Sequence, residues 1–324
     1  MALSKTHFIN RNTPDKWNSD VLLSVKFYND WFMHFAPATY IEARREAIER
    51  VDTMLRETDC FNQLSVQSVI DMPDSMAILR MATTPPIARD RLTGLAEVGR
   101  GFVKSMETGQ LPPRMSKETL HATISKILEI INRLLDREIM PWLKEGITPA
   151  KKDRLMAASI IADRLCGSLA DPIIRNEQER RQLQSIKEYL ESKGYMQIDP
   201  KGIEDSALME PGTFAIHMNV PVRISETQEV KMPVDVVIKR RNARITEMPI
   251  LIECKSAGDF TNTNKRRKEE ATKMGQLRNT YGNSIEFVQF LCGYFDSGYL
   301  GYEAAEGIDW VWEHRIDDFS KLDL

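Results

Sequence analysis

Residues 233–255 contain two consecutive apolar runs, which carry two carboxylates and a lysine. Asp235 lies inside the first run, which is rich in valine, and the second run ends in Glu253, Cys254 and Lys255. If the runs pair as an antiparallel hairpin centred on residue 244, Asp235 faces Glu253 with Cβ atoms about 5 Å apart. Because side chains alternate along a strand, Lys255 shares the face of Glu253. The spacing therefore predicts one polar patch built from Asp235, Glu253 and Lys255.

These side chains suit the metal-assisted hydrolysis of a phosphodiester. Mg²⁺ prefers oxygen ligands and is typically held by one or two carboxylates and the substrate phosphate. We expect Asp235 and Glu253 to bind Mg²⁺ together with the main-chain carbonyl of Cys254, and Lys255 to contact the phosphate and orient or deprotonate the attacking water. The alternative is a solvated strand edge. Against it, a carboxylate flanked by β-branched residues is costly to bury unless it serves a metal or a partner.

A polar and basic segment follows the second run. Its candidate nucleic-acid contacts are Asn262, Asn264, Lys265, Arg266 and Arg267. Asn can pair with adenine and Arg with guanine in the major groove, and both Lys and Arg bind phosphates. A polar loop that caps the next helix is an equally good interpretation. Further along that helix, Lys273 and Gln276 could share the face that points towards the catalytic patch.

The charge distribution is uneven, although the net charge of the chain is only −3. Residues 231–281 contain twelve Lys or Arg and six Asp or Glu, a local balance of +6, so the rest of the chain carries about −9. Such an asymmetry could attract a phosphate backbone to one face. A hairpin and helix that are merely solvated remain the alternative.

Cysteine and histidine usage excludes several other classes. The four cysteines include no CxxC pair, which argues against a zinc site and a disulfide framework and favours a reducing compartment. The five histidines have no metal-ligand spacing, so each is expected to be a packed or surface residue. The N-terminus has no export-type apolar segment, and no apolar run approaches the ~20 residues of a membrane span. We therefore expect a cytoplasmic protein.

The pattern of the chain changes near Gly194, from helical periodicity to strands and turns. In the first half, Thr39 and Glu42 resemble a capping box, residues 116–142 carry an apolar stripe at helical spacing, and Asp171-Pro172 resembles a helix start. The second half predicts two strands, a helix over 265–281 and strands at 285–292 and 310–312. We divide the chain into a mainly helical region, 1–165, which contacts DNA or dimerises, and a catalytic core, 166–324.

At its catalytic residues the chain resembles the PD-(D/E)XK nuclease superfamily. Asp235 matches the first acidic position, Glu253 the second and Lys255 the lysine, although Val234 rather than proline precedes Asp235. Further stretches resemble the XamI-type restriction endonucleases, at residues 28–32, 35–37, 84–92, 171–176, 253–259 and 301–307. The resemblance implies an α/β (α+β) fold in which a helical N-terminal half joins a restriction-endonuclease-like core, a central mixed sheet flanked by helices.

The resemblance also implies an activity and partners. It implies a type II restriction endonuclease that cuts a short palindrome in double-stranded DNA and leaves 5′-phosphate and 3′-hydroxyl ends, with a cognate methyltransferase that protects host DNA. Cutting both strands of a palindrome is most simply done by a homodimer. A repair or recombination nuclease of the same fold, or a DNA-binding protein that no longer cuts, are the alternatives.

Three further residues are candidates because of the resemblance. Many enzymes of the superfamily add a carboxylate from the helix before the sheet to the metal site, and Glu179 is our choice here, although the heavily charged segment around it favours an exposed, salt-bridged face. Arg89 and Arg91 follow a stiff Thr-Thr-Pro-Pro turn and are candidate DNA contacts, or else surface arginines at a loop-to-helix junction.

Overall fold

The computed structural model describes residues 8–225, 228–244, 246–261 and 263–324, without the side chains of residues 264–266. The α-helices of the described residues are α1 Pro14–Glu57, α2 Val66–Asp71, α3 Ser75–Met81, α4 Arg89–Leu95, α5 Phe102–Glu107, α6 Lys117–Leu134, α7 Trp142–Glu145, α8 Lys151–Ser192, α9 Thr263–Tyr281 and α10 Ser297–Ala305. The strands are β1 Met196–Gln197, β2 Thr213–Arg223, β3 Glu229–Lys239, β4 Ile250–Ala257, β5 Phe287–Gly293 and β6 Asp309–Trp312. Two 3₁₀ helices cover Ser206–Leu208 and Glu313–Leu322.

The six strands form one mixed sheet whose spatial order follows the chain, β1-β2-β3-β4-β5-β6. The pairs β2–β3 and β3–β4 are antiparallel, whereas β1–β2, β4–β5 and β5–β6 are parallel. α9 connects the parallel strands β4 and β5, as a crossover helix must. The expected α+β class, with a helical N-terminal half and a mixed sheet flanked by helices, is confirmed.

Helices pack on both faces of this sheet. On one face, Leu183 and Ile186 of α8 contact a cluster that includes Val236 and Ile252. On the other face, Met274 and Leu277 of α9 join a cluster that includes Val237 and Leu251. Alternate residues of β3 and β4 therefore serve different cores, and both strands are buried between two helices.

The chain forms two compact units. One comprises the described residues up to Phe35 together with Arg175–Leu324, and the other is Ala36–Ile174. The second unit has its own apolar core, to which the predicted stripe of α6 contributes Ile124, Ile127 and Ile131. The functional division at residue 165 stays a prediction.

Two predicted helix starts are wrong. Residues 39 and 171 lie inside the long helices α1 and α8, which continue through Pro37 and Pro172. Proline removes one intrahelical hydrogen bond. It does not have to end a helix when the apolar residues before and after the proline are both packed. The helix-capping patterns at these residues extend over only four residues, and packing along the whole helix outweighs them. None of the helices in the described ranges has the length and apolar character needed to cross a membrane.

Gly293 at the end of β5 provides a test of how β4 and β5 are held together. Its φ is 98°, and a Cβ atom built there would lie 2.1 Å from the carbonyl oxygen of Ala257, its partner in β4. We expect Gly293→Ala to lower the free energy of unfolding by about 2 kcal/mol or more, because the backbone must move. Urea unfolding followed by tryptophan fluorescence measures this change.

Gly275→Ala is the matched control for that substitution. Gly275 lies inside α9, and a Cβ atom there would meet nothing within 4 Å. Alanine should raise stability by roughly 0.5–1 kcal/mol, because it restricts the unfolded chain and favours the helix. Equal stability of the two variants would show that β4 and β5 do not approach as described.

Candidate active site

The register of β3 and β4 places the predicted catalytic residues. The described pairs are Val236 with Ile252, Val237 with Leu251 and Ile238 with Ile250. These pairs are centred on residue 244, so the predicted register is confirmed. Residues 235 and 253 occupy the next position, just beyond the last pair of the ladder.

Where β3 and β4 separate, the Asp235 side chain accepts a hydrogen bond that a main-chain carbonyl would accept in a regular ladder. Its Oδ2 accepts a hydrogen bond from the backbone N–H of Cys254 at 2.8 Å. Val234 and Val236 on either side are fully buried. Burial raises the pKa of the Asp235 carboxyl, and the negative charge of Glu253 raises it further. The carboxylate is thus fixed in place in a setting that disfavours its own charge.

Glu253 is buried, with only 7% of its surface exposed. Its Oε1 accepts hydrogen bonds from Lys255 Nζ at 2.9 Å and from Lys273 Nζ at 2.5 Å. Its Oε2 has no hydrogen-bond partner among the described residues. Because a buried carboxylate oxygen without a partner is costly, this atom is suited to bind a cation. The prediction that Lys273 faces the patch is confirmed.

Lys255 lies between two acidic groups. Its Nζ is 3.0 Å from Oε1 of Glu270, a fully buried residue of α9, as well as close to Glu253. Burial lowers the pKa of Lys255, but the charges of Glu253 and Glu270 outweigh it, so the pKa lies well above its ordinary value. The side chain is therefore an ammonium ion. This state suits orienting water and contacting phosphate better than accepting a proton.

The helix α8 adds Glu179 to the same site. Glu179 Oε1 lies 3.8 Å from His217 Nε2 in β2. One ligand atom from each of Glu179, His217 and Asp235 falls within 4.8 Å of the others. The fold thus brings the helix carboxylate predicted from the sequence close to Asp235, where it can act on the same cation.

The strands β2 and β3 are irregular at this point. Within residues 216–218 and 234–236 the alternation of faces fails, because the outer two residues of each triplet contact opposite apolar clusters. His217 and Asp235 are the central residues, and His217 has a φ of 55°. A positive φ is uncommon for residues other than glycine and often marks functional positions.

A cavity of about 350 Å³ opens beside these residues. Gln178, Glu179 and Gln182 line it from α8, and Asp235 and Glu253 line it from the sheet. Gln182 is held in place because its Nε2 donates to the carbonyl oxygen of Phe290 at 3.1 Å. The cavity is lined by carboxylates, amides, a lysine and Arg175, a composition suited to a hydrated cation and a phosphate group.

The predicted DNA contacts of the basic run are only partly described. Asn262 lies outside the described residues, and of Asn264, Lys265 and Arg266 the structure gives the backbone alone, in the first turn of α9. The guanidinium of Arg267 lies 5.0 Å from the ring centroid of Tyr302. The basic run thus begins the same helix that carries Glu270 and Lys273 to the site.

Arg89 and Arg91 lie at the start of α4, in the compact unit Ala36–Ile174. Arg89 Nε donates to Glu107 Oε2 at 2.7 Å, and Glu107 also pairs with the buried Arg80. Arg91 is exposed. A role in DNA contact stays a prediction for both, and for Arg89 it would require the ion pair to Glu107 to open.

Part of the local positive charge of residues 231–281 is used inside the fold. Arg240 pairs with Glu286, which lies outside this segment, and the buried Lys239 donates to the main-chain carbonyl of Ala207. Lys255 and Lys273 pair with Glu253, whose charge the balance of +6 already includes. The excess of +6 therefore overstates, by the charges of Arg240 and Lys239, the charge that an external phosphate would meet.

Sequence reasoning missed two residues of the site. His217 was expected to be a packed or surface residue, and it is exposed, but it also lies close to Asp235 because β2 pairs with β3. Glu270 was not singled out, although it precedes Lys273 by three residues and shares its helix face. The i, i+3 spacing of Glu270 and Lys273 was the available signal, whereas nothing in the spacing of His217 pointed to the site.

Comparison with known proteins identifies the class. The XamI restriction endonuclease family matches residues 59–312. The chain is 47% identical over 310 residues to the type II restriction enzyme SalI of Streptomyces albus G, with 96% of this chain and 98% of that protein covered. It therefore belongs to the XamI restriction endonuclease family. Its enzyme class is that of the type II site-specific deoxyribonucleases.

Two more distant similarities were found. The chain is 26% identical over 196 residues to the type II restriction enzyme XamI of Xanthomonas campestris pv. amaranthicola, with 60% of this chain and 62% of that protein covered. Among solved structures, protein VC1899 from Vibrio cholerae covers 84% of this chain and 55% of its own at 14% identity, with a TM-score of 0.27. A likeness at that TM-score supports no argument about the fold.

Another buried carboxyl group lies behind the site. Glu303 in α10 is fully buried and accepts a hydrogen bond at 3.0 Å from Gln289 Nε2. Burial raises the pKa of Glu303 to about 8, with a further contribution from the charge of Glu270. The folded protein therefore holds this proton more tightly than the unfolded chain does.

The raised pKa of Glu303 predicts a pH-dependent loss of stability. Because the folded-state pKa lies above the unfolded value, folding is favoured at low pH, and that contribution is lost as the pH rises from about 4.5 to about 8. Glu303→Gln should remove the loss, so its advantage over the wild type should grow across this window by up to roughly 4 kcal/mol. Urea unfolding of both proteins at pH 5, 6.5 and 8 tests this, and parallel pH profiles would contradict it.

Proposed function

We propose that this protein is a Mg²⁺-dependent endonuclease that cuts both strands of a short palindromic DNA site and leaves 5′-phosphate and 3′-hydroxyl ends. Asp235, Glu253 and Lys255 are its catalytic residues, Glu179 adds to the metal site, and Cys254 contributes its main-chain carbonyl. The observation that carries the proposal is the buried Glu253, whose Oε1 binds two ammonium groups while its Oε2 has no partner in the described structure.

The residues present fit a magnesium ion. Asp235 and Glu253 supply hard oxygen ligands, and the ladder between β3 and β4 has ended where the Cys254 carbonyl stands. Mg²⁺ held there would neutralise charge on the phosphate and acidify a bound water molecule. The hydrogen bond from the Cys254 N–H orients the Asp235 carboxylate for this task. The raised pKa of Asp235 reflects burial first and then the repulsion from Glu253, and a cation beside the carboxylate would offset both.

The lysines complete the electrostatic environment. Lys255, held as an ammonium by Glu253 and Glu270, would contact the scissile phosphate and orient the attacking water. Charge that develops on the phosphoryl oxygens during attack would be stabilised by this fixed cation. Lys273 balances the second negative charge of the Glu253–Glu270 pair, so that Lys255 stays available to the substrate.

The remaining roles follow from the type of reaction. We propose that a homodimer supplies one site to each strand, since a palindrome has two-fold symmetry. A cognate methyltransferase would act on the same site, and the reaction would take place in the cytoplasm. The helical region, with Arg91 and Arg89, would contribute DNA contacts or the dimer interface. The basic run from Lys265 to Arg267 and the neighbouring Asn262 and Asn264 would meet the DNA beside the site.

Substitution of the three catalytic residues tests the proposal. Asp235→Asn, Glu253→Gln and Lys255→Met should each lower the cleavage rate at least about 10²-fold, because each removes a charge that the transition state needs. The measurement is cleavage of unmethylated phage DNA with Mg²⁺, with EDTA as a blank, resolved on a gel. Discrete fragments are expected from the wild type.

Two matched controls lie on the same strand as Asp235. Glu229→Gln and Lys231→Met change an exposed carboxylate and an exposed lysine of β3. Both should cleave at the rate of the wild type. Full activity in a catalytic variant would remove that residue from the site, and a smear in place of fragments would indicate a nuclease without sequence specificity.

The basic run predicts a salt dependence of DNA binding. Arg266→Ala combined with Arg267→Ala should weaken binding and reduce the slope of log K against log salt by about 0.9 for each phosphate that is no longer neutralised. Fluorescence anisotropy of a labelled duplex over a salt series measures the slope. Arg137→Ala, whose guanidinium donates to the carbonyl of Asn132 in its own segment, is the control. An unchanged slope in the double variant would show that the run is only a solvated face.

A further inference from the structure

The first half of α1 carries apolar side chains on a face that the protein leaves exposed. We call this face the α1 patch, and its apolar members are Leu22, Leu23, Phe27 and Met33, which are 71%, 52%, 39% and 68% exposed. On the opposite face of the same helix, Val21, Ser24 and Tyr28 are buried. Single exposed apolar side chains are ordinary, but four along one helix face mark an interaction surface.

The α1 patch is held in place from behind. The guanidinium of Arg181 in α8 lies 5.6 Å from the ring centroid of Phe27 and 4.5 Å from the ring centroid of Trp31. On the buried face, Ser24 Oγ accepts a hydrogen bond from the backbone N–H of Gly293 at 2.8 Å. Because these contacts already fix the helix and its aromatic rings, a partner that binds there orders few additional groups.

Two opposite charges, Lys26 and Asp30, lie within the patch. Both are exposed, and neither forms an ion pair with another described residue. The two residues are equidistant from residue 28. If two copies of α1 pack antiparallel about a two-fold axis at that level, Lys26 faces the partner's Asp30 and Asp30 faces the partner's Lys26. In the same register Leu23 faces the partner's Met33, so the patch is complementary to itself, as a two-fold interface requires.

We propose that the α1 patch is the interface of a homodimer of this chain, with the two α1 helices antiparallel and centred on residue 28. Packed helices bring their axes to about 8–10 Å, which buries the apolar side chains between them. The Lys26–Asp30 pairs at the interface select this register over others. A DNA backbone does not fit the patch, because one charge of each sign gives a polyanion no net attraction.

This interface lies next to the candidate active site. On the buried face of α1, the hydroxyl of Tyr28 accepts a hydrogen bond from Gln178 Nε2 at 2.6 Å, and Gln178 lines the cavity beside Asp235. One helix therefore separates the patch from the cavity, and a two-fold axis through the patch places one cavity on each side. Cutting both strands of a palindrome needs this arrangement. The inference rests on the proposed function for its homodimer and assigns the residues that form it.

The test is an exchange of charges, followed by sedimentation equilibrium of the full-length protein. In Lys26→Glu carboxylates face each other across the axis, and in Asp30→Lys ammonium groups do, so each variant should dimerise at least about tenfold more weakly than the wild type. An equimolar mixture of the two variants should regain wild-type dimerisation, because every pair in the mixed dimer joins opposite charges. Lys126→Glu and Glu129→Lys, which change exposed charges of α6, should leave association unchanged.

The results that would overturn the inference are distinct from one another. Single variants that associate as tightly as the wild type would move the homodimer to another surface, and a mixture that does not regain dimerisation would exclude the antiparallel register. A monomeric wild type would overturn both this interface and the proposed homodimer. If such a monomer bound a DNA duplex more weakly after Lys26→Glu, the patch would belong to DNA instead.

A catalytic variant separates the interface from the chemistry. Asp235→Asn should lose cleavage but dimerise as tightly as the wild type, because Asp235 lies outside the α1 patch. Full cleavage by Asp235→Asn would overturn the proposed catalytic role of that residue, and the association of the charge variants would still report on α1.

Discussion

The burial of the Glu253 carboxylate is the constraint on which the arrangement of the candidate site depends. A buried anion without compensation would cost several kcal/mol, so the fold must bring cations to it. One oxygen receives Lys255 from its own strand and Lys273 from α9, and Glu270 balances the second positive charge. Strand and helix are thereby joined through a charged cluster rather than through apolar packing alone. The other oxygen of Glu253 is left for a ligand.

The site exists because the sheet is irregular at this position. A regular ladder satisfies its own backbone groups and leaves nothing for a substrate. Here the described β3–β4 pairing stops after Val236 and Ile252, and the Asp235 carboxylate takes up the freed N–H of Cys254. The alternation of faces also fails in β2 and β3, which turns His217 and Asp235 out of the apolar layers. Local departures from regular structure thus supply the polar groups that the chemistry needs.

The sequence predicted the parts of the site that depend on short-range pattern. The two continuous apolar runs and the length of their connector were enough to predict the register of Asp235 against Glu253. His217 could not be found in this way, because its contact depends on the pairing of a third strand and on one unusual φ angle. The supposed helix starts at Thr39 and Asp171 failed because a local cap signal says nothing about packing further along the helix.

The proposed mechanism depends on a cation bound between Asp235 and Glu253, where their strands separate. An anomalous difference map from crystals of this protein grown with Mn²⁺ would locate such an ion. We expect a peak in contact with the carboxylates of Asp235 and Glu253, the latter through its Oε2 atom, and with the Cys254 carbonyl. Peaks confined to other positions, with both carboxylates free of metal, would contradict it.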